Sequence, residues 1–521
     1  MLLGVAAQAA PPGAADSAAA KDENYFDIHE FRVLGNTVLP AVEVERAVYP
    51  FLGDHKKLAD VEAARAALEK TYHDRGYATV FVDIPEQEIN EAIVRLRATE
   101  GRVHEVKISG ARYFSEGRIL AALPAAAPGG VPQLKDLQNQ LAKVNAESAD
   151  QAVVPILKAG PVPGTVDIAL KVDDHLPLHG SVEINNQNSL NTESLRALYA
   201  LSYANLFGEF DDLALQYQNT PQEPGQVGVI AANYTTRPFG SGIRYALSFI
   251  DSTSNVLAVS TLGVLGKGQV YGARMLLPNI GGVSGSQQFT LGADYKHFQQ
   301  SIALPATPTT PEVTDNTPIS YMNLSVAYAG YWPAEQRQVS INGSANFGVR
   351  GLVNDAVPFA DKRYQGRPNY FYVREDATFI DHFWGNWLLT ARVAGQYAVE
   401  PLINNEQYSI TGANAVRGYL EAESLSDVGV NGTLQLTSPA AVWRKAALLD
   451  AFIFFDAGLA HFIDPLPDQI SRQVLRSYGT GFNLFPGRSV TGSLTWAYPL
   501  DDAAHTRRGD PRLLFFVRGT F

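Results

Sequence analysis

The chain has 521 residues, a formal net charge of -12, 18% charged and 10% aromatic residues, 44 glycines and no cysteine. An acidic chain lacks the basic face with which a nucleic-acid binder displaces counterions, and without cysteine there are no disulfide staples, thiolate metal sites or cysteine nucleophiles. The sparse charge and abundant aromatics and glycine suit many strands joined by tight turns, and no run of 18 apolar residues marks a transmembrane helix.

The opening MLLGVAAQAAPPG reads as the tail of a secretory signal, with an apolar run and a small-x-small site at Ala7-Gln8-Ala9 but no basic region. Residues 11–24, rich in Ala, Pro and Asp, read as flexible, so 1–25 form a lead-in. Phe31-Arg32-Val33-Leu34 predicts a strand turned by Gly35-Asn36. Pro40 opens a short helix to about residue 51. Asp60 is the expected cap of a second helix, whose stripe Val61, Ala64, Leu68 and Tyr72 shares one face and which stops at Gly76. Strands over 77–84 and 92–98 follow. The order then repeats: a strand at 103–109 ending on Gly110, helices at 115–123 and 133–146, and strands at 153–157 and 166–172 around the turn Gly160-Pro161-Val162-Pro163-Gly164. Two copies of strand–helix–helix–strand–strand indicate a duplication, dividing the front third into small α+β domains at 26–101 and 102–175.

From residue 176 the texture changes to long strands of period two. In 387–399, Trp387, Leu389, Ala391, Val393, Tyr397 and Val399 oppose Thr390, Arg392 and Gln396. Soluble strands average about 5–6 residues, whereas these run to about 10–12, enough to cross a bilayer when tilted. Roughly sixteen of them, with centres from near 183 to near 516, predict a transmembrane antiparallel β-barrel over 176–521. Alternate links are short and carry Phe207, Phe239, Trp332, Trp384 and Phe485, suited to an interfacial belt. The others, 301–318, 350–368, 400–427 and 460–476, are long and polar, as outer loops should be; the first of them, with Pro305, Pro308 and Pro311, is expected to be unstructured. Leu513, Phe515, Val517 and Phe521 share a face of the last strand, which must pair with the first to remove the sheet edge.

No nucleophile elbow, zinc-protease motif or phosphate-binding loop is present, and the histidines lack ligand spacing. The chain is therefore read as a non-enzyme without cofactor or metal. The paired acids Asp173-Asp174, Asp211-Asp212 and Asp501-Asp502 read as solvated turns. Two short motifs remain: Val416-Arg417-Gly418-Tyr419 in the sixth outer loop, and Phe454-Phe455-Asp456-Ala457-Gly458 on the thirteenth barrel strand. There the alternation puts Ala451, Ile453, Phe455, Ala457 and Leu459 toward lipid, so Phe454, Asp456 and Gly458 face the lumen. A sheltered carboxylate needs a cation. Arg417 can supply one if the loop folds inward; otherwise Arg417 is an exposed loop residue and Asp456 is solvated.

These motifs together resemble the Omp85 superfamily. The front domains resemble polypeptide-transport-associated (POTRA) domains. Gly76-Tyr77, Pro85-Glu86-Gln87 and Glu100-Gly101-Arg102 fall where the two-partner secretion branch, the TpsB or haemolysin/filamentous-haemagglutinin transporters, has similar residues. The resemblance covers about 26–521. It implies that Arg417 contacts Asp456 inside the barrel, with Gly418 and Tyr419 shaping the loop tip. It implies a chain in the bacterial outer membrane with periplasmic POTRA domains. Its partners would be an unfolded TpsA-type exoprotein, periplasmic chaperones and outer-membrane lipid, with export through the barrel and no nucleotide hydrolysis. Residues 11–25 depart from the family's plug helix, offering only a short, broken Ala-rich stretch. The alternatives are an insertase of other barrels, which resembles chains with more POTRA domains, and a solute porin, which needs no periplasmic receptor.

Overall fold

The computed structural model describes residues 25–521 apart from 90, 209–210, 237–241, 254–265, 278–284, 300, 305–312, 444–446 and 468. The expected signal remnant and the lead-in to residue 24 lie outside the described residues, as does Phe239. The chain divides into two compact units, Met1–His175 and Leu176–Phe521.

In the front unit the first copy runs β1 (Phe26–Ile28), β2 (Glu30–Leu34), α1 (Ala41–Val48), β3 (Gly53–Lys56), α2 (Leu58–Asp74), β4 (Val80–Asp83) and β5 (Ile93–Glu100). Its main sheet has the order β2-β5-β4, with β2 parallel and β4 antiparallel to β5. The stripe Val61, Ala64, Leu68 and Tyr72 packs against Val94, Leu96 and Ala98 in one core. Helix α2 starts at Leu58, so Asp60 is its third residue and not its cap. Its carboxylate accepts the Lys57 N–H at 2.8 Å, which satisfies the chain entering the helix from inside the first turn.

The second copy runs β6 (Arg102–Ser109), α3 (Glu116–Ala121), α4 (Leu134–Glu147), β7 (Gln151–Ala159) and β8 (Thr165–Asp174), with sheet order β6-β8-β7 and the same parallel and antiparallel pairing. The duplication extends to one backbone detail. Gly35 and Gly110 have φ of +83° and +93°, and a Cβ on either would lie 2.3 Å or 2.2 Å from the carbonyl oxygen of Ala98 or Val172. Only glycine permits both the conformation and the approach.

The back unit is a closed antiparallel barrel. Its strands are β9 (Leu178–Asn185), β10 (Arg196–Ala204), β11 (Asp212–Asn219), β12 (Gly228–Thr236), β13 (Arg244–Ser252), β14 (Gly268–Leu277), β15 (Ser286–Phe298) and β16 (Ile319–Pro333). They continue as β17 (Arg337–Gly348), β18 (Phe371–Phe383), β19 (Trp387–Ala398), β20 (Val428–Thr437), β21 (Ala447–His461), β22 (Arg472–Phe485), β23 (Val490–Pro499) and β24 (Arg512–Thr520). A three-residue piece, Ala441–Trp443, extends β20 along β21. Each expected strand centre falls in one of these sixteen. The last strand pairs with the first from Phe516↔Asn185 to Thr520↔Ser181, so no edge remains. The alternation separates lipid from lumen: Ile453 and Phe455 are exposed, while Phe452, Phe454, Asp456 and Gly458 are buried. At the short turns Phe207 is 70% and Trp384 86% exposed, as interfacial anchors are.

Two expectations need correction, and one link holds an element that was not expected. The 301–318 link holds an antiparallel pair, Ser301–Leu304 with Val313–Asn316. Pro305, Pro308 and Pro311 lie outside the described residues. The 350–368 link holds helix α5 (Ala356–Lys362), whose Phe359 packs on Tyr321 and Tyr370. The acid pairs are not simply solvated: Asp174 and Asp211 are buried. Asp174 accepts the N–H groups of Arg112 and Tyr113 at 2.7 and 2.8 Å, and Asp211 accepts that of Phe207 at 3.1 Å. A carboxylate that closes a turn replaces water with backbone donors, which is why burial is tolerated.

Candidate functional site

The link 399–427 folds inward. Tyr408–Ser409 pairs with Leu425–Ser426, making a hairpin-like loop, and Ile410, Val416 and Tyr419 are fully buried among barrel residues Ala460 and Leu475. Within it the Val416 N–H donates to the Ile410 carbonyl at 3.1 Å, which presents Arg417 to the wall strand β21.

Arg417 and Asp456 meet with fork geometry. The guanidinium Nε donates to Oδ2 at 2.7 Å and Nη2 to Oδ1 at 2.9 Å, and the Arg417 backbone N–H adds a third bond to Oδ2 at 3.1 Å. A planar fork on a planar carboxylate fixes direction as well as distance. Nη1 donates to Gln435 Oε1 at 2.9 Å, and the guanidinium carbon stands 3.4 Å from the centre of the Phe454 ring. Asp456 is fully buried and the Arg417 side chain 12% exposed, so solvent screens the pair little.

The other motif residues supply space and a second anchor. A Cβ at Gly458 would lie 2.9 Å from Val416 Cγ2 and 3.2 Å from Ile410 Cβ, so glycine there makes room for the loop. Gly418 has φ of +97° and turns the chain beside Ala497. The Tyr419 hydroxyl lies 3.0 Å from the carbonyls of both Arg476 and Asp501, tying the loop to β22 and to the link before β24. On β22, a Cβ at Gly479 would come within 2.5 Å of the Phe454 ring, so this glycine seats the ring under Arg417.

Sequence reasoning missed the loop's other anchors. Glu406 accepts from Lys296 Nζ at 2.5 Å and the Tyr372 hydroxyl at 2.6 Å, and also from the Tyr321 hydroxyl. Glu423 accepts from the His505 and Thr506 N–H groups at 2.7 and 2.6 Å. Asp427 accepts the Leu402 and Ile463 N–H groups at 3.0 and 2.9 Å. A signal was present: Glu406, Glu421, Glu423 and Asp427 are interleaved with Ile403, Ile410, Val416 and Tyr419, a pattern an exposed loop does not need. Beside Arg417 a cavity of ≈ 210 Å³ has a mixed lining, with Gln187, Asn414, Gln435 and Asn483 alongside Phe452 and Leu514. Among the described residues of this site none has the geometry of a nucleophile and its base.

In the front unit, Glu100-Gly101-Arg102 forms the joint between the two copies. Glu100 accepts the Thr37 and Val38 N–H groups at 2.6 and 3.1 Å. Arg102 reaches back to Thr37 Oγ1 at 2.8 Å and forward to the Gly129 carbonyl at 3.1 Å. A Cβ on Gly101 would lie 2.6 Å from the Thr79 carbonyl oxygen. The Gly76 carbonyl accepts the Leu134 N–H at 2.8 Å, and Gln87 accepts the Arg95 N–H at 2.7 Å.

A family model for the ShlB-type POTRA domain matches residues 26–101, and one for the haemolysin secretion/activation protein ShlB/FhaC/HecB matches residues 313–483, which contain both Arg417 and Asp456. Over these residues the chain is similar to the two-partner secretion branch of the Omp85 superfamily. As in that family, the barrel lies in the outer membrane and the POTRA unit in the periplasm. Among relatives, the outer membrane transporter CdiB of Escherichia coli is 24% identical over 230 residues, which are 44% of this chain but only 37% of that one. The heme/hemopexin transporter protein HuxB of Haemophilus influenzae is 21% identical over 506 residues, covering 92% of this chain and 84% of that one. The solved structure of CdiB from Escherichia coli matches with a TM-score of 0.62 at 18% identity, covering 98% of this chain and 93% of that one. BamA from Haemophilus ducreyi lacking POTRA domains 1–3 matches with 0.58 at 15%, covering 95% and 100%. Both structures share the fold.

Proposed function

We propose that this protein exports an unfolded partner, a TpsA-type exoprotein, which its POTRA unit captures in the periplasm and its barrel passes outward without nucleotide hydrolysis. Periplasmic chaperones keep the client unfolded until capture, and lipid surrounds the barrel. The observation that carries the reading is the inward loop held by Arg417 on Asp456. A conduit for a chain must hold such a loop and release it, and a charged pin suits that task. The charged pair is directional and re-forms after release. Folding of the client outside removes the chance of sliding back and supplies the free energy. The reading is supported by the match of residues 313–483 to a family model described as haemolysin secretion/activation protein.

The test is export of the secreted protein whose appearance outside cells is lost when this chain is deleted. Removing residues 26–174 should leave a heat-modifiable barrel in the membrane and abolish that export. Export at the normal level from the truncated chain would end the capture reading.

A further inference from the structure

Two glycines on the lipid-facing side of the barrel wall, Gly180 and Gly330, are roofed by rings of the same chain: a Cβ there would stand 2.2 Å from the Phe521 ring and 2.3 Å from that of Trp332. Gly492 and Gly519 are not roofed. Gly492 alternates with the exposed Val490 and Leu494, so it faces lipid. A Cβ on it would meet the Phe516 carbonyl oxygen at 3.5 Å and Val517 Cγ2 at 3.8 Å, and one on Gly519 would meet nothing within 4 Å. The register sets the two side by side, with Gly519 opposite Val490 and Gly492 opposite Val517. In the same row Gly492 lies opposite Leu484 on β22, and Leu484 opposite Leu449 on β21. The result is a dent of ≈ 480 Å³, lined by Leu449, Leu484 and Val517 of this row, by Phe482 and Phe515 of the next row outward, and by Trp443. Glycine inside a strand weakens it and marks places where a ligand comes close to the backbone.

The dent lies at the periplasmic end of the wall. The chain enters the barrel at the start of β9, and the antiparallel order puts the links 438–446 and 486–489 at that same end. Gly492 is two residues into β23, about 7 Å from Val490 at a strand rise of about 3.3 Å per residue. Just before Val490, Arg488 is exposed and, among the described residues, has no carboxylate partner. The link 438–446 has Arg444 and Lys445 in its sequence after Trp443, and neither link contains an acid, in a chain whose net charge is -12. The short links 205–211 and 333–336 each carry an acid instead. Trp443 is 47% exposed, as a ring at the level of lipid headgroups is. An apolar seat with cations at its headgroup end is complementary to a lipid whose head is negative.

We propose that the dent at Gly492 and Gly519 binds one anionic glycerophospholipid of the periplasmic leaflet, its acyl chain lying over Gly492 and its phosphate diester held by Arg488. Bulk lipid covers the rest of the wall by apolarity alone. Here the two missing side chains give an acyl chain a fixed seat, and a guanidinium that can bind phosphate through two N–H groups gives the headgroup a preference. The seat adjoins the seam of the barrel, because Val517 on its border is paired with Ile184 of the first strand. A ligand that needs β21 to β24 side by side stabilises that arrangement by mass action. The site is independent of the export reading.

The test uses the full-length protein in neutral detergent micelles, with phospholipids brominated on the acyl chain, which quench a tryptophan they touch. Brominated phosphatidylglycerol should quench at a mole fraction roughly fivefold below that of brominated phosphatidylethanolamine, the factor expected of one cation near an anionic headgroup. Trp443→Phe, which leaves four of the five tryptophans, should remove the difference. Arg488→Gln should bring the two lipids within about twofold and Arg488→Lys should restore the preference. Gly492→Leu, which fills the dent from the lipid side, should demand several times more phosphatidylglycerol, with every variant still heat-modifiable. Equal quenching of the parent by the two lipids would mark ordinary boundary lipid and overturn the proposal, as would an unchanged titration in Gly492→Leu. Displacement of the brominated lipid by lipid A more readily than by plain phosphatidylglycerol would put outer-leaflet lipid there instead. A dimer in light scattering whose Trp443 emission ignores both lipids would give the dent to a second copy of the chain. Either result ends the assignment.

Discussion

Asp456→Ala is the sharpest perturbation of the loop. It removes the acceptor of three N–H donors at 2.7, 2.9 and 3.1 Å and leaves the Arg417 guanidinium with Gln435 and the Phe454 ring alone. Breaking one side of a buried pair costs about 3–5 kcal/mol, and with the Arg417 side chain only 12% exposed the screening discount is small. At about 1.4 kcal/mol per decade, the equilibrium between held and released loop shifts by roughly two to three and a half decades. The barrel ladder is untouched, so the protein should insert normally and remain heat-modifiable. Loop position can be read in the same cells. Ala422 is buried in the loop, and Ala422→Cys should be protected from maleimide in the parent and labelled in the Asp456→Ala background. Export should fall in parallel. Arg417→Ala should behave alike, and the double variant should be no worse than either single one. Additivity of the two within about 0.5 kcal/mol would show that they do not act as a pair, and the reasoning would be refuted.

Gly458→Val should release the loop by another route, because its Cβ would already stand 2.9 Å from Val416; overpacking of this kind costs about 1–3 kcal/mol, and the Ala422→Cys label would report it. Glu100→Ala leaves the Thr37 and Val38 N–H groups without their acceptor, at about 1–3 kcal/mol for buried donors, so protease should cut the front unit sooner while the barrel resists as before. Burial opposes ionisation of Asp174, but bonds from the N–H groups of Arg112, Tyr113 and Phe114 outweigh it and hold the carboxyl below its ordinary range. A depressed carboxyl stabilises the fold above its unfolded pKa of about 3.9 and loses that contribution as pH falls through the lower folded value. Protease resistance of the second POTRA copy should therefore fall at acid pH, and Asp174→Ala should be less resistant at neutral pH with a flatter acid profile; an unchanged profile would remove Asp174 from that role.

The barrel was legible because its signal is local. A strand with lipid on one side and lumen on the other must alternate, so Val393 and Tyr397 against Gln396, or Ile453 and Phe455 against Asp456, declare both strand and face without knowledge of any neighbour. The stripe Val61, Ala64, Leu68 and Tyr72 and the repeated Gly35 and Gly110 likewise carry their meaning in spacing alone. Local spacing also placed Asp456 in the lumen, but it left open whether a loop residue about forty positions earlier would come to meet it. The path of 399–427 depends on Glu406 finding Lys296 and Tyr372, Asp427 finding Ile463, Glu423 finding Thr506 and Gly458 leaving room for Val416. Each is a contact between segments distant in sequence, with no period to betray it. The helix at Ala356–Lys362 and the burial of Asp174 and Asp211 were hidden for the same reason. Sequence determined which face each strand would show to lipid, because the membrane acts on every residue alike; only the closed barrel decided which polar groups would be partners, because it alone brings the loop within reach of the wall.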